Sequence, residues 1–187
     1  MFDLALLQSV SYIAGASGVC IAAIFYVLNL RISQRNMRQT LETRKLQFVT
    51  SITNQQLSEE GQRRYGELLN MEWKDYDDFE KKYGSDYNLD NYAKRMNVWK
   101  TYNTLGMLVR EKLIEPEVLW RINDVNPCFM WSKFKDIIVE QRKRYGGDRW
   151  GYLSDFKFLN DEMLRIALIK DPSFRIPETL NRYIPGE

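Results

Sequence analysis

A chain of 187 residues, 44% hydrophobic and 28% charged with a net charge of +2, holds one compact domain of ordinary size and one further segment. A mean hydropathy of −0.47 excludes a polytopic membrane protein. The sequence has no histidine, which excludes Ser-His-Asp and Cys-His catalysis, histidine zinc ligation and histidine pH switching.

No charged side chain lies between Leu4 and Leu30. As an α-helix this run is about 40 Å long, against roughly 30 Å of bilayer hydrocarbon. A helix is the only form in which one segment can cross lipid, because its backbone groups pair within the segment. The run therefore reads as a transmembrane helix. The rival readings are a buried core helix of a soluble protein and a cleaved signal peptide. Ala14-Gly15-Ala16 has the small-x-small form of a cleavage site, but the apolar run continues for about a dozen residues beyond it, too far for a signal peptide.

Small residues recur along this helix at Ser11, Ala14, Gly15, Gly18 and Ala22. Ser11 with Gly15, Ala14 with Gly18, and Gly18 with Ala22 are each small-xxx-small pairs, which let two helix backbones approach closely in lipid. A basic collar follows: Arg31, Arg35, Arg38, Arg44 and Lys45, opposed there only by Glu42. Before the run there is Asp3 and no Lys or Arg. The positive-inside rule then places the N-terminus outside and the remainder in the cytoplasm, as in a single-pass inner-membrane protein. The collar can also hold anionic lipid, at roughly 1 kcal/mol per cation. Beyond Lys45 acids and bases nearly balance, so the positive excess belongs to the collar.

From residue 31 to 56 the chain is polar, with good helix formers and no Pro or Gly. Met37, Leu41, Phe48 and Ile52 share one narrow helical stripe, a stalk that either pairs with another copy or packs on its own body. The body, residues 57–170, reads as a bundle of about five helices. Ser58 caps a helix directed towards Trp73. Asp77 caps a short helix with Glu80 as its capping-box partner, and Gly84 ends it. Asn88 to Lys112 forms the clearest helix of the body, with Tyr92, Met96, Trp99 and Tyr102 on one face. Gly106 inside it costs on the order of 1 kcal/mol against alanine, which points to a close helix contact. Pro116 starts a short helix after Glu115, and Asn126-Pro127 repeats the device with Asn126 as the cap of a helix reaching Arg144. Gly146-Gly147 breaks that helix, and Asp148 caps a last one from Arg149 to Ile169. Asp171-Pro172 stops it, and residues 171–187 form an irregular tail with one turn near Glu178–Asn181. No hairpin signal appears, and the fold class is all-α.

Trp73 with its acidic stretch and Tyr83-Gly84, the run Tyr102-x-x-x-Gly106-x-Leu108-Val109-x-x-x-Leu113-Ile114, Trp131-x-x-Phe134, and Trp150 with Phe156-x-x-Leu159 occur in that order. This set resembles a prokaryotic family of uncharacterised proteins with one N-terminal transmembrane helix and a helical cytoplasmic domain, over about residues 5 to 165. The resemblance implies the architecture and carries no activity or catalytic residue.

The remaining chemistry is thin. Asp75, Asp77 and Asp78 lack the turn glycine and terminal glutamate of a calcium loop. Cys128 lies near a helix N-terminus, where thiol pKa values fall, but has no histidine partner and reads as a core or boundary residue. The basic run Arg142-Lys143-Arg144 suits a helix C-terminus better than nucleic acid, given the near-neutral body. Glu111, Glu140, Asp155, Asp161 and Glu162 are the candidates for a carboxylate-based enzyme, without the Glu-x-x-His of di-metal bundles. No cofactor motif is present. The expectation is a non-enzymatic, membrane-anchored interaction or scaffold module. Its partners are the lipid bilayer, a second copy of itself, or a protein of a membrane complex. The alternatives are an accessory or sensory subunit of a larger transport or signalling complex and, third, the carboxylate enzyme.

Overall fold

The computed structural model describes residues 4–146 and 151–180, and over these the chain is all-α. In order the helices are α1 (Leu4–Leu57), α2 (Glu59–Leu69), α3 (Tyr76–Tyr83), α4 (Leu89–Arg110), α5 (Pro116–Asn123), α6 (Asn126–Tyr145) and α7 (Ser154–Lys170), with a 3-10 turn at Glu178–Leu180. The chain divides into two compact units, Met1–Phe48 and Val49–Glu187.

The first unit is α1 as far as Phe48. Every side chain from Leu7 to Phe48 is exposed, although most of those up to Leu30 are apolar. The helix is long and apolar enough to cross a membrane, and none of its apolar window is buried within the protein. The last turns of α1 belong to the second unit, where Val49 is buried and Ile52 packs against the core. Of the stripe Met37, Leu41, Phe48 and Ile52, only Ile52 is drawn into that core; the other three stay exposed.

The second unit is built on the α4–α7 pair, which is the most extensive helix contact. Helix α6 and the shorter α5 pack on α7, α3 packs on α4, and α2 lies against α4 and α6. The core is rich in aromatic rings. Phe134 of α6 sits at its centre, stacked on Trp73 at 5.3 Å and meeting the edges or faces of Trp99 at 5.2 Å and Phe79 at 6.4 Å. A second group places Phe156 of α7 between Tyr102 at 5.3 Å and Trp131 at 5.1 Å. Offset and edge-to-face arrangements of this kind contribute about 0.5–1.5 kcal/mol per pair beyond the area they bury.

Helix boundaries follow local chemistry, and several differ from the sequence-based expectation. Ser58 caps α2 as expected, accepting from the Gly61 N–H at 3.0 Å. However, α2 stops at Leu69 instead of running to Trp73, because the Asn70 side chain takes the Gly66 carbonyl and Met71 and Trp73 turn into the core. The cap of α3 is Asp75 and not Asp77: its carboxylate accepts from the Asp78 N–H at 2.8 Å. Asp78 reaches back to the Lys74 N–H at 2.9 Å, so an aspartate completes the box assigned to Glu80. Helix α6 includes Asn126 as its first residue, with Val125 in the cap position and no side-chain cap. The final helix begins at Ser154, since Gly151 to Leu153 form a turn with Leu153 at a φ of 56°. The proposed Asp148 cap, Trp150 and Gly147 lie outside the described residues.

Candidate functional site

The residues singled out on the anchor all lie on α1. Ser11, Ala14, Gly15, Gly18 and Ala22 are exposed, and a Cβ built on Gly15 or Gly18 would meet nothing within 4 Å. Arg31, Arg35, Arg38, Arg44 and Lys45 follow on the same helix, all exposed.

The candidate catalytic carboxylates are arranged differently. Asp155 pairs with Arg110 at 2.8 Å, Asp161 with Lys157 at 2.7 Å, Glu162 with Arg165 at 2.9 Å and Glu140 with Arg144 at 3.0 Å, while Glu111 is exposed. No group of three or more His, Cys, Asp or Glu side chains suited to a metal occurs among the described residues. The basic run at the end of α6 is likewise engaged within the protein. Arg142 donates to the Tyr152 carbonyl at 2.7 Å. Arg144 pairs with Asp77 at 2.8 Å and lies 4.2 Å above the Tyr76 ring.

Cys128 is fully buried, with its Sγ 3.5 Å from the Asn160 carbonyl oxygen. Burial, reinforced by Asp161 and Asp124, pushes its thiol up to about 12. The thiolate is the reactive form, so at pH 8 an alkylating reagent should leave Cys128 unmodified in the folded protein and modify it after denaturation. Peptide mass spectrometry reads both states; rapid native modification of Cys128 would show that the core opens readily.

The most unusual group in the body was not singled out from the sequence. Arg95 of α4 is completely buried. Its guanidinium carbon lies 4.4 Å from the Phe79 ring centre, 5.0 Å from Trp99 and 5.6 Å from Tyr92. Such cation–π contacts favour the charge by about 0.5–2 kcal/mol each. They do not satisfy the N–H donors: Nε and both terminal nitrogens of Arg95 have no hydrogen-bond partner among the described residues. Burial lowers its pKa to about 10, with Glu80 acting in the opposite direction. The group therefore stays charged at neutral pH.

Arg95 lies in the wall of an open cleft of about 500 Å³ between α3, α4 and α6 and the turn before α7. Tyr92, Tyr145 and Tyr152 line it, with Glu80, Asp86 and Gln141. The Glu80 carboxylate is turned to other donors, accepting from the Tyr76 hydroxyl at 3.0 Å and from Gln141 Nε2 at 3.4 Å. One signal for this site stood in the sequence. Arg95 falls three residues after Tyr92 and four before Trp99, on the apolar stripe of α4 where a charge is out of place.

The fold defines a helical domain carried by a long apolar N-terminal helix. Residues 13–150 match the family model DUF4760, described as a domain of unknown function. This is well over half of the chain, and the chain belongs to that family. The resemblance to an uncharacterised family thus holds, over a shorter stretch than residues 5 to 165. The matched stretch includes the apolar run from Ile13 onward, the basic collar and Arg95. No curated protein matches the chain, and no solved structure matches it.

Proposed function

We propose that this protein is a single-pass membrane protein of the cell inner membrane whose helical body, on the cytoplasmic side, is an interaction module that associates with a second copy of itself. One observation carries the membrane reading. A helix free of charge from Leu4 to Leu30 leaves every described apolar side chain exposed. In water that surface is unfavourable by about 25 cal/mol per Å², whereas in lipid it is solvated. A core helix of a soluble protein would be covered. The length of the run beyond Ala14-Gly15-Ala16 favours an anchor over a cleaved leader. The basic collar supports the cytoplasmic placement of the body and a contact with anionic lipid. The open face at Gly15 and Gly18 supports self-association, because among the described residues nothing lies within 4 Å of a Cβ placed at either position.

Two measurements test this reading. The protein should stay with the membrane after alkaline carbonate washing, and release into the soluble fraction would overturn the anchor. In detergent it should run as a discrete oligomer that falls to monomer in a Gly15→Leu, Gly18→Leu double variant. A wild-type monomer at concentrations well above those in the cell would sink self-association. The partner would then be sought by gentle extraction from the native membrane.

A further inference from the structure

A buried guanidinium without hydrogen bonds is a costly group to keep. Each unmet donor loses the water it had in the unfolded chain, and a buried charge is normally paired. The Arg95 donors have no partner among the described residues, yet the side chain adjoins solvent-accessible space in the cleft. The nearby carboxylate that acts on it, Glu80, is held by Tyr76 and Gln141 and leaves it unpaired. The rings of Phe79, Trp99 and Tyr92 surround the cation at 4.4–5.6 Å and hold its charge in place. The arrangement is a preset, planar donor array in the wall of a cavity of ligand size, its nitrogens almost closed to solvent.

The cleft also constrains what it takes. A guanidinium fork matches a carboxylate, which can accept two parallel N–H bonds. Glu80 and Asp86 give the lining more negative than positive charge, which disfavours polyanions such as nucleotides. The same carboxylates, with the rings of Tyr92, Tyr145 and Tyr152 in the lining, favour a cationic or aromatic remainder. A cavity of about 500 Å³ is of the size that holds a metabolite. We propose that this cleft binds a small amino-acid-like zwitterion, its carboxylate seated on Arg95 and its ammonium or ring against the tyrosines and Glu80. The proposal is independent of the membrane anchor and of self-association.

The test is thermal unfolding of the full chain in detergent, followed by tryptophan emission, because Trp99 lies 5.0 Å from the group that would be neutralised. The probes are phenylalanine, glycine betaine, 3-phenylpropanoate, phenethylamine and inorganic phosphate. The zwitterions should raise Tm by about 5–10 °C at about 100-fold excess over Kd. The carboxylate without ammonium should do so less, and the amine without carboxylate and phosphate not at all. Arg95→Met should abolish the shift, and Arg95→Lys should weaken binding about tenfold or more, since the fork is lost while the charge stays. Should Arg95→Met fail to fold, Tyr145→Ala at the exposed mouth should still weaken binding, while Glu80→Gln should weaken the zwitterions selectively over 3-phenylpropanoate. The proposal falls if no carboxylate shifts Tm, if phosphate does so as well as the zwitterions, or if the shift survives in Arg95→Met.

Discussion

Replacing Phe134 by alanine is expected to destabilise the second unit by about 3–5 kcal/mol, the range for a large aromatic side chain removed from a packed core. Phe134 is fully buried and touches Trp73, Phe79 and Trp99. Three elements therefore lose a common surface at once: the segment before α3, α3 itself and α4. Domains of this size have about 5–15 kcal/mol of stability in all, so the fall in Tm should be on the order of 10–20 °C. Tryptophan emission is the appropriate readout, because two of the three rings that face Phe134 are indoles, while helicity from the exposed part of α1 is a poor reporter of this core. The effect should extend to the cleft. Phe79 and Trp99, which Phe134 supports, are two of the rings that enclose Arg95. Phe134→Ala should thus weaken ligand binding as well as stability, whereas Phe134→Leu should retain most of both. A loss below about 1 kcal/mol would mean that the aromatic cluster collapses into the vacated space.

Much of the fold could be read from the chain, because its helices announce themselves through proline and polar punctuation. Ser58, Asn88 and Pro116 sit where helices start, and Gly146, in the left-handed conformation, closes α6. The errors lie where two polar residues compete for one role. Asp75 and Asp77 are equally good caps in isolation, and in the fold Asp75 takes the role while Asp77 pairs with Arg144 of α6. Asn126 has the chemistry of a cap, but Val125 occupies that position and Asn126 opens the helix, its carbonyl accepting from the Tyr65 hydroxyl at 3.0 Å. The end of the stalk was similarly hidden. Val49 is buried by neighbours far away in sequence, which no local period reveals. The cleft was the least legible part. Its residues come from four separate segments, and each is ordinary alone: a tyrosine on an amphipathic face, a glutamate on a short helix, a glutamine among basic residues. Arg95 was the one local anomaly. A cation on an apolar stripe can extend to solvent or be buried, and the two outcomes look alike until Phe79 is brought across from α3.

The same substitution, glycine to alanine, should have opposite signs at two helical positions of the body. In an isolated helix alanine is favoured over glycine by about 1 kcal/mol. At Gly66 of α2 a Cβ would meet nothing within 4 Å, so Gly66→Ala should gain about 0.5–1 kcal/mol. At Gly106 of α4 the added carbon would collide with the Asp155 carbonyl oxygen, lie 2.6 Å from its carbon and stand 3.2 Å from Leu159 Cβ. Backbone cannot rotate away as a side chain can. The start of α7 is also pinned on both sides of this contact: the Phe156 N–H donates to Asn103 Oδ1 at 3.1 Å, and Arg110 Nε holds Asp155 at 2.8 Å. Making room would require α7 to move off α4 along the most extensive helix contact in the unit and break one of these ties. Overpacking of this kind costs about 1–3 kcal/mol or more, which exceeds the gain in helix propensity. Gly106→Ala should therefore lower Tm by several degrees while Gly66→Ala raises it, both followed by tryptophan emission in detergent. If Gly106→Ala proved stabilising, the closeness of α4 to α7 would be adjustable, and glycine would be there for a reason other than packing.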